Sequence, residues 1–176
     1  MSDLFMRRSA VISECNNYRT WLERRWAEGP PLILDMLNPS KADAKIDDPT
    51  IRRGIGFAQR EGLGGLVVVN FFALRATNPK DLIGHPDPIG PENVRAIGEA
   101  LLLSAVHKSP FVVACGAHSM VTPELIRLVE RAAQYDVQLW CLGKTKHGFP
   151  RHPLYLAKDT PLEPFVFSKP GGDGGA

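Results

Sequence analysis

Four short apolar runs divide the chain, and each ends in polar or turn-forming residues. The runs span residues 31–37, 66–72, 110–115 and 137–142. Apolar runs of this length, bounded by turn residues, are typical of strands buried on both faces of a parallel sheet. Pro39 cannot donate a backbone hydrogen bond and disfavours helical geometry in the residue before it, so the first strand ends at Asn38.

Helical patterns separate these runs. Asp48-Pro49 is a helix-start signal, with Asp48 as N-cap and proline at the first helical position, and this helix is predicted to end near Gly62. Further helices are predicted over residues 92–107 and 123–133. The core positions predicted for the second helix are Val94, Ile97, Leu101 and Leu102.

The alternation of strands and helices predicts the fold class. Before the first strand, two β-prone runs flank an Asn16-Asn17 turn, which is typical of a hairpin. We therefore predict a three-layer α/β/α sandwich with a central four-stranded parallel sheet and an N-terminal β-hairpin. Residues 1–168 form one α/β domain in this prediction, and the glycine-rich residues 169–176 form a flexible tail.

Polar residues cluster after each of the four predicted strands. In open α/β sheets, ligands bind beyond the carboxyl ends of the strands, so the clusters are expected to meet at one rim. The first cluster holds Asn38, Ser40 and Asp43, and the others span residues 70–75, 116–119 and 145–152. Among these residues we expect substrate contacts from Ser40, Asn70, Phe71, Arg75, Gly116 and His118.

Several of these residues have two interpretations. Asn38 either positions a water or ligand amide, or it caps the turn that follows the strand. Asn70 ends a Val-Val-Val run, and its amide either braces a neighbouring loop or contacts the edge of a ligand. His118 is either a helix-start residue or a ligand contact.

The charged residues beside the first strand are also open to two interpretations. Asp43, Asp47 and Asp48 either hold a hard metal ion, or they cap a helix and pair with surface cations. The capped helix is the preferred interpretation for Asp48. Cations that suit phosphate or nucleic acid are found nearby and in the last loop, namely Arg52, Lys144, Lys146 and Arg151.

Composition narrows the class of protein without identifying a ligand. The 176 residues are 44% hydrophobic and 23% charged, with a formal net charge of +2, so charge alone does not argue for nucleic acid. The three cysteines have no metal-type spacing and suit a reducing compartment. Without a run of about 20 apolar residues or a signal sequence, we expect a cytoplasmic protein with no membrane contact.

Common catalytic motifs are missing from the sequence. It has no Gly-rich phosphate loop and no Gly-x-Ser-x-Gly elbow, which argues against NTPase and α/β-hydrolase chemistry. His147 and His152 are not spaced as a helical zinc pair, so no metal site and no cofactor are predicted. The oligomeric state is not predicted from the sequence.

Four motifs together resemble a bacterial and phage family of unknown function, number 1643 in its catalogue. The motifs begin at Leu37-Asn38-Pro39-Ser40, Asp47-Asp48-Pro49-Thr50, Asn70-Phe71-Phe72 and Arg151-His152-Pro153. The resemblance covers about residues 10–156, and it implies no established activity.

The order of the motifs also resembles, more distantly, the uracil-DNA glycosylase superfamily. That superfamily has a water-positioning motif, a base-reading motif and a leaving-group motif in a fixed order along the chain. The same order is followed here by Asn38-Pro39, Val69-Asn70, Cys115-Gly116 and His152-Pro153. The resemblance implies that Asn38 and His152 are catalytic, with Asn38 positioning water and His152 stabilising the departing base. Asn70 would then read the base, and Phe71 or Phe72 would stack on it.

The function implied is hydrolysis of an N-glycosidic bond of a base in DNA or a nucleotide. Two alternatives stay open. One is a non-catalytic module that binds nucleic acid or a nucleotide, and the other is a metal-dependent nucleotide-processing enzyme that uses Asp43, Asp47 or Asp48.

Overall fold

A seven-stranded mixed sheet forms the centre of the molecule. The computed structural model describes residues 6–167, in which the strand order is β1-β2-β4-β3-β5-β6-β7. The predicted tail at 169–176 lies outside these residues. The strands are β1 (Arg7–Ile12), β2 (Arg19–Arg25), β3 (Pro31–Met36), β4 (Gly65–Asn70), β5 (Phe111–Val113), β6 (Leu139–Cys141) and β7 (Glu163–Pro164).

The sheet is larger than the four strands predicted. β4, β3, β5 and β6 pair in parallel, at the four positions where apolar runs predicted strands. β1 and β2 form the predicted antiparallel hairpin, but β2 also pairs antiparallel with β4, so the hairpin extends the same sheet. β7, which was not predicted, closes the other edge against β6. The α/β class is therefore confirmed, within a mixed rather than purely parallel sheet.

Helices cover both faces of the sheet. They are α1 (Pro49–Arg60), α2 (Asn93–His107) and α3 (Val121–Gln134). α1 packs on one face against side chains such as Leu34 and Val68, while α2 and α3 pack on the other against Val69 and Val113. Within residues 6–167, no helix has the length and apolar character needed to cross a bilayer.

The start of α1 follows the sequence prediction. Asp48 is its N-cap, and the Asp48 Oδ1 atom accepts a hydrogen bond of 2.9 Å from the backbone N–H of Ile51. Pro49 occupies the first turn, where its missing N–H leaves no helical hydrogen bond unmade. This cap fixes the direction in which α1 leaves the carboxyl end of β3.

The buried face of α2 differs from the prediction. Val94 and Leu102 are 59% and 51% exposed, whereas Ile97 and Leu101 are buried as expected. Small residues at 96, 98 and 100 complete the buried face, which lets α2 lie close to the sheet. The prediction was wrong for Val94 and Leu102 because it selected large apolar residues and overlooked the small ones.

Asp35 lies in the middle of β3 with no exposed surface. It pairs with Val69 and Val113 on the neighbouring strands, so its side chain lies on the face covered by α2 and α3. Neither carboxyl oxygen has a hydrogen-bond partner within residues 6–167. Burial, reinforced by the negative charge of Glu124, raises the pKa of Asp35 well above its usual value.

We expect Asp35→Asn to stabilise the protein at neutral pH. The raised pKa means that the folded protein holds a proton that the unfolded chain releases above about pH 3.8. The free energy of unfolding of the wild type therefore falls as pH rises above this value, and that of the variant does not. Urea unfolding at pH 7 should show a higher free energy of unfolding for the variant than for the wild type, and this difference should shrink towards pH 4.

The exposed Asp159→Asn is the matched control, and it should leave the pH dependence of unfolding unchanged. A variant Asp35→Asn whose stability follows the wild type in parallel from pH 4 to 8 would contradict this account of the buried carboxyl.

Candidate functional site

A cavity of about 440 Å³ opens beyond the carboxyl end of β3. It is lined by side chains from four separate segments, at residues 36–40, 48–50, 76–79 and 152–155. Asn38, Ser40 and His152, which the sequence assigned to a common rim, all line this cavity. The parallel pairing of β4, β3, β5 and β6 brings these segments together, because it directs the carboxyl ends of all four strands to one edge, and the segment at 152–155 follows β6.

The amide of Asn38 is held in a fixed orientation. Its Nδ2 atom donates to the backbone carbonyl of Ala76 at 2.8 Å and to that of Pro39 at 3.0 Å. Only the NH₂ group can donate to carbonyls, so these contacts identify the amide oxygen as the remaining acceptor. Oδ1 makes no hydrogen bond within residues 6–167, so it is available to a ligand or water. Asn38 thus braces the segment at 74–76 and also lines the cavity.

His152 lies at the opposite end of the sequence but in the same cavity. Its Nδ1 atom accepts a hydrogen bond of 3.3 Å from the backbone N–H of Leu154, at the start of a short 3₁₀ turn, Pro153–Tyr155. The proton of the neutral ring is therefore on Nε2. Burial lowers the pKa of His152 below its usual 6.5, and the charge of Asp48 opposes this shift. His152 is a neutral donor at physiological pH.

Gly116, at the end of the segment that follows β5, supports the His152 loop. Its backbone N–H donates to the carbonyl of Pro150 at 2.9 Å. It has a φ of +71°, a conformation that glycine adopts without strain, and a Cβ at this position would lie 3.8 Å from the Cβ of His152. Gly116 therefore packs behind His152 rather than lining the cavity.

Asp48 does more than cap α1. It lines the cavity with Asn38 and His152, and its charge acts on His152 and on the buried Arg19. The capping contact uses Oδ1, and the carboxylate is only partly buried. The sequence pattern favoured a capping role for Asp48 and did not predict that it lines the cavity. A helix that follows a parallel strand begins at the ligand-binding edge of the sheet, so its N-cap residue also lies at that edge.

Asn70 lies beside the cavity floor but does not line it. It pairs in register with Met36, a lining residue, so both side chains are on the face covered by α1. Arg19 donates to Asn70 Oδ1 at 3.2 Å and to the carbonyl of Ala42 at 2.8 Å. Of the two interpretations of Asn70, the structure favours the brace. Its Nδ2 atom is buried and has no partner within the described residues.

Arg19 is nearly inaccessible, at 1% exposure. Burial lowers its pKa to about 10, while the charge of Asp48 acts in the opposite direction. Its guanidinium is therefore still charged at neutral pH. Arg19 therefore places a buried positive charge close to the cavity.

The aromatic residue at the cavity is not the one predicted. Phe71 is 2% exposed and packs in the core on the face covered by α2 and α3, where it cannot stack on a ligand in this cavity. Tyr155 lines the cavity and is 83% exposed, with its ring centroid 6.4 Å from that of His152. The sequence signal that was overlooked is an aromatic residue three positions after His152.

Two other predicted contacts lie elsewhere. The side chain of Arg75 donates to the backbone carbonyl of Asn16 at 3.2 Å and holds the hairpin turn. His118 precedes α3, and its Nδ1 atom accepts from the N–H of Met120, which matches the helix-start interpretation. Neither residue lines the cavity.

The predicted phosphate-contacting cations also lie outside the cavity. Arg52, Lys144, Lys146 and Arg151 are all exposed. Arg52 is on α1, and its guanidinium donates to the carbonyl of Asp47 at 2.5 Å. The other three are in the loop that leads to His152.

Asp43 and Asp47 organise the loop between β3 and α1. Asp47 forms ion pairs with Arg8 at 2.7 Å and with the buried Arg24 at 2.8 Å. Asp43 Oδ1 accepts from the backbone N–H groups of Lys45 and Ile46, which lower the pKa of this carboxyl. Across residues 6–167, no group of three or more His, Cys, Asp or Glu side chains is arranged to hold a metal.

One family comparison matches most of the chain. The family model described as "Protein of unknown function (DUF1643)" matches residues 19–154. That range contains every residue that lines the cavity except Tyr155. No curated protein and no solved structure is significantly similar to the chain. The resemblance to the uracil-DNA glycosylase superfamily therefore stays a prediction.

We expect Asp48→Asn and Asp48→Ala to separate capping from electrostatics. Asparagine caps helices as well as aspartate does, so Asp48→Asn should keep the free energy of unfolding while Asp48→Ala loses about 1 kcal/mol. Both variants remove the charge that opposes the burial of His152, so both should lower the pKa of His152 further. NMR titration of the histidine rings measures this shift.

In the wild type, the His152 ring should titrate with a midpoint below 6.5, and His107, an exposed residue, is the internal reference. An unchanged His152 midpoint in both variants would show that Asp48 does not act on the ring.

Proposed function

Because the chain belongs to the DUF1643 family, whose description names no function, we propose a function from its cavity. The protein binds a nucleobase-containing ligand, in nucleic acid or a nucleotide, and hydrolyses its N-glycosidic bond. The observation that supports this is the presence of three groups in one cavity: a neutral histidine donor, an oriented amide oxygen and a carboxylate. They are His152, Asn38 and Asp48.

His152 serves the leaving group. When the bond between the sugar and the base breaks, its electron pair goes to the base, which becomes an anion. A neutral imidazole whose Nε2–H is free to donate can stabilise an oxygen of that anion without first losing a proton. The buried charge of Arg19 favours negative charge in the same region.

Asn38 and Asp48 serve the water. Asn38 Oδ1 can accept a hydrogen bond from the attacking water, but an amide cannot remove its proton. The Asp48 carboxylate takes that proton as the water oxygen bonds to the anomeric carbon. Its negative charge also offsets the positive charge that develops on the sugar. The departing base then takes up a proton, which completes the hydrolysis.

The dimensions of the cavity suit this ligand class. Small-molecule sites commonly enclose about 300–1,000 Å³, and this cavity holds about 440 Å³. Tyr155 supplies an exposed ring on which a planar base can stack, the role that the resemblance gave to Phe71 or Phe72. Asn70 is too deep to read the base directly, so its part in the proposal is to hold Arg19.

The two alternatives draw less support from the geometry. A metal-dependent enzyme would use Asp43, Asp47 or Asp48. The carboxylates of Asp43 and Asp47 are engaged by backbone N–H groups and by arginines, and within residues 6–167 Asp48 is not part of a group of three metal-ligating side chains. A binding module without catalysis would need the same cavity, so only an assay of bond cleavage separates it from the proposal.

We expect His152→Ala to lower the rate of base release by about a hundredfold or more, the range of general acid–base contributions. The assay incubates the protein with oligonucleotides and nucleotides that carry uracil, hypoxanthine or modified bases, and detects free base and abasic sites. The matched control is His107→Ala, an exposed residue on α2 that should keep the wild-type rate.

Binding of these ligands without release of any base would establish the non-catalytic module instead. Absence of both binding and release across the panel would refute the proposal.

The pH dependence gives a separate prediction. Only the neutral form of His152 can donate through Nε2 while Nδ1 accepts from Leu154. Base release should therefore decrease as the pH falls through the lowered pKa of His152, on the acid side of 6.5. A pH–rate profile at saturating substrate measures this limb. A rate that increases on acidification would indicate that the charged imidazole is the active form.

A further inference from the structure

A second cavity, of about 590 Å³, lies along the exposed side of α1. Four cationic side chains line it: Arg52, Arg53, Arg60 and Lys158. Gly56 is at its centre. We call this feature the α1 groove.

Gly56 has no evident role within the chain. A Cβ built at this position meets no atom within 4 Å, whereas a Cβ at Gly54 would lie 3.0 Å from the side chain of Leu66. The backbone at Gly56 is helical, and glycine inside a helix is less favourable than alanine. The glycine therefore leaves a bare patch of helix backbone open to a neighbour from outside the chain.

Cations surround this patch because of helix geometry. Residues three and four positions away lie next to Gly56 on the helix surface, and these are 52, 53, 59 and 60. Three of the four are arginines. A ligand that approaches Gly56 closely would meet their guanidinium groups, whose planar arrangement of donors suits phosphate oxygens.

Part of this charge has no ion-pair partner among residues 6–167. The guanidinium carbons of Arg53 and Arg60 lie 5.4 Å and 5.2 Å from the centre of the Phe57 ring, which holds two like charges over one aromatic side chain. Arg60 pairs with Glu61. Arg53 forms no ion pair with the described residues, and its Nε atom is buried without a hydrogen-bond partner. A bound anion would supply the counter-charge that the Arg53 guanidinium lacks among residues 6–167.

The α1 groove and the cavity of Asn38 are both lined by residues of α1. Thr50 lines that cavity, and Gly56 lies six residues further on, about 9 Å along the axis at 1.5 Å per residue. Two to three nucleotides of a strand cover about this distance at 3.4 Å each.

We propose that the α1 groove binds the phosphodiester backbone of a single-stranded nucleic acid, with one base entering the cavity of Asn38. The entry of the base rests on the proposed function, but backbone binding does not. A single strand is favoured over a duplex, because a base must leave its stack to reach a cavity of this kind.

The test measures the affinity for a fluorescent twelve-residue oligothymidylate by anisotropy, at several salt concentrations. Arg53→Gln should weaken binding by about tenfold, as expected for one charge-assisted contact. The slope of log Kd against log salt should decrease by about 0.7, the value for one phosphate on a single strand. Arg95→Gln removes an equally charged, exposed arginine from α2 and is the matched control, expected to change Kd less than twofold.

Gly56→Leu tests the bare patch while keeping every charge. Within residues 6–167, no atom lies within 4 Å of a Cβ at this position, and leucine is a better helix former than glycine, so Tm should not decrease. The leucine should nevertheless weaken binding by about tenfold, because it occupies the space of the strand.

The proposal is overturned if Arg53→Gln and Arg95→Gln weaken binding equally, or if Gly56→Leu leaves Kd unchanged. Tighter binding of the duplex, or equal competition by a twelve-residue glutamate peptide, would also overturn it. His152→Ala should bind the oligonucleotide within about threefold of wild type. Base release with an unchanged Kd in Arg53→Gln and Gly56→Leu would refute the α1 groove alone, whereas specific binding without base release would refute only the proposed hydrolysis.

Discussion

The position of β3, with a parallel strand on each side, determines where this protein can bind a ligand. β3 pairs with β4 and β5, and β5 pairs with β6, so the segments that follow all four parallel strands leave the sheet at one edge. The turn at Asn38-Pro39 starts there, and hydrogen bonds from Asn38 to Ala76 and from Gly116 to Pro150 join the segments to one another. Residues more than a hundred positions apart in the sequence can line one cavity only because this edge is shared.

Buried arginines, rather than apolar packing, hold the loop that carries Asp48. Arg24 has no exposed surface and contacts Asp47 and the carbonyls of Ser9, Glu23 and Asp43, while Arg19 reaches the carbonyl of Ala42. A charge is costly to bury unless its donors are satisfied, and the four contacts just named meet this requirement for Arg24. The loop is polar in sequence, but these contacts fix its position. A binding site carried on a loop needs such support if its side chains are to be held in a defined geometry.

The sequence predicted the parts of the fold that depend on local signals. Apolar runs, the Asp48-Pro49 cap and the Asn16-Asn17 turn all act within a few residues, and the corresponding strands, helix and hairpin formed where expected. The side on which a side chain lies was harder to predict. The strand at Val67 to Val69 is buried on both faces and is apolar at every position, so it shows no alternation of polar and apolar residues. The sequence therefore did not show that Asn70 faces α1 and Phe71 faces α2. The pairing of β2 with β4 depends on distant residues and left no local signal either.

The chemistry proposed for the cavity depends on the balance of charge around it. Arg19 places a buried positive charge near the cavity, which favours an anionic base but disfavours a cationic sugar. Asp48 offsets the second effect because it lies in the cavity itself, and it does so while one of its oxygens is bound to the N-terminus of α1. A neutral His152 adds a donor without adding charge. With a charged histidine the site would carry an excess of positive charge, and the developing sugar cation would be opposed on two sides. The proposed hydrolysis therefore requires the burial that keeps His152 neutral as much as it requires His152, Asn38 and Asp48 themselves.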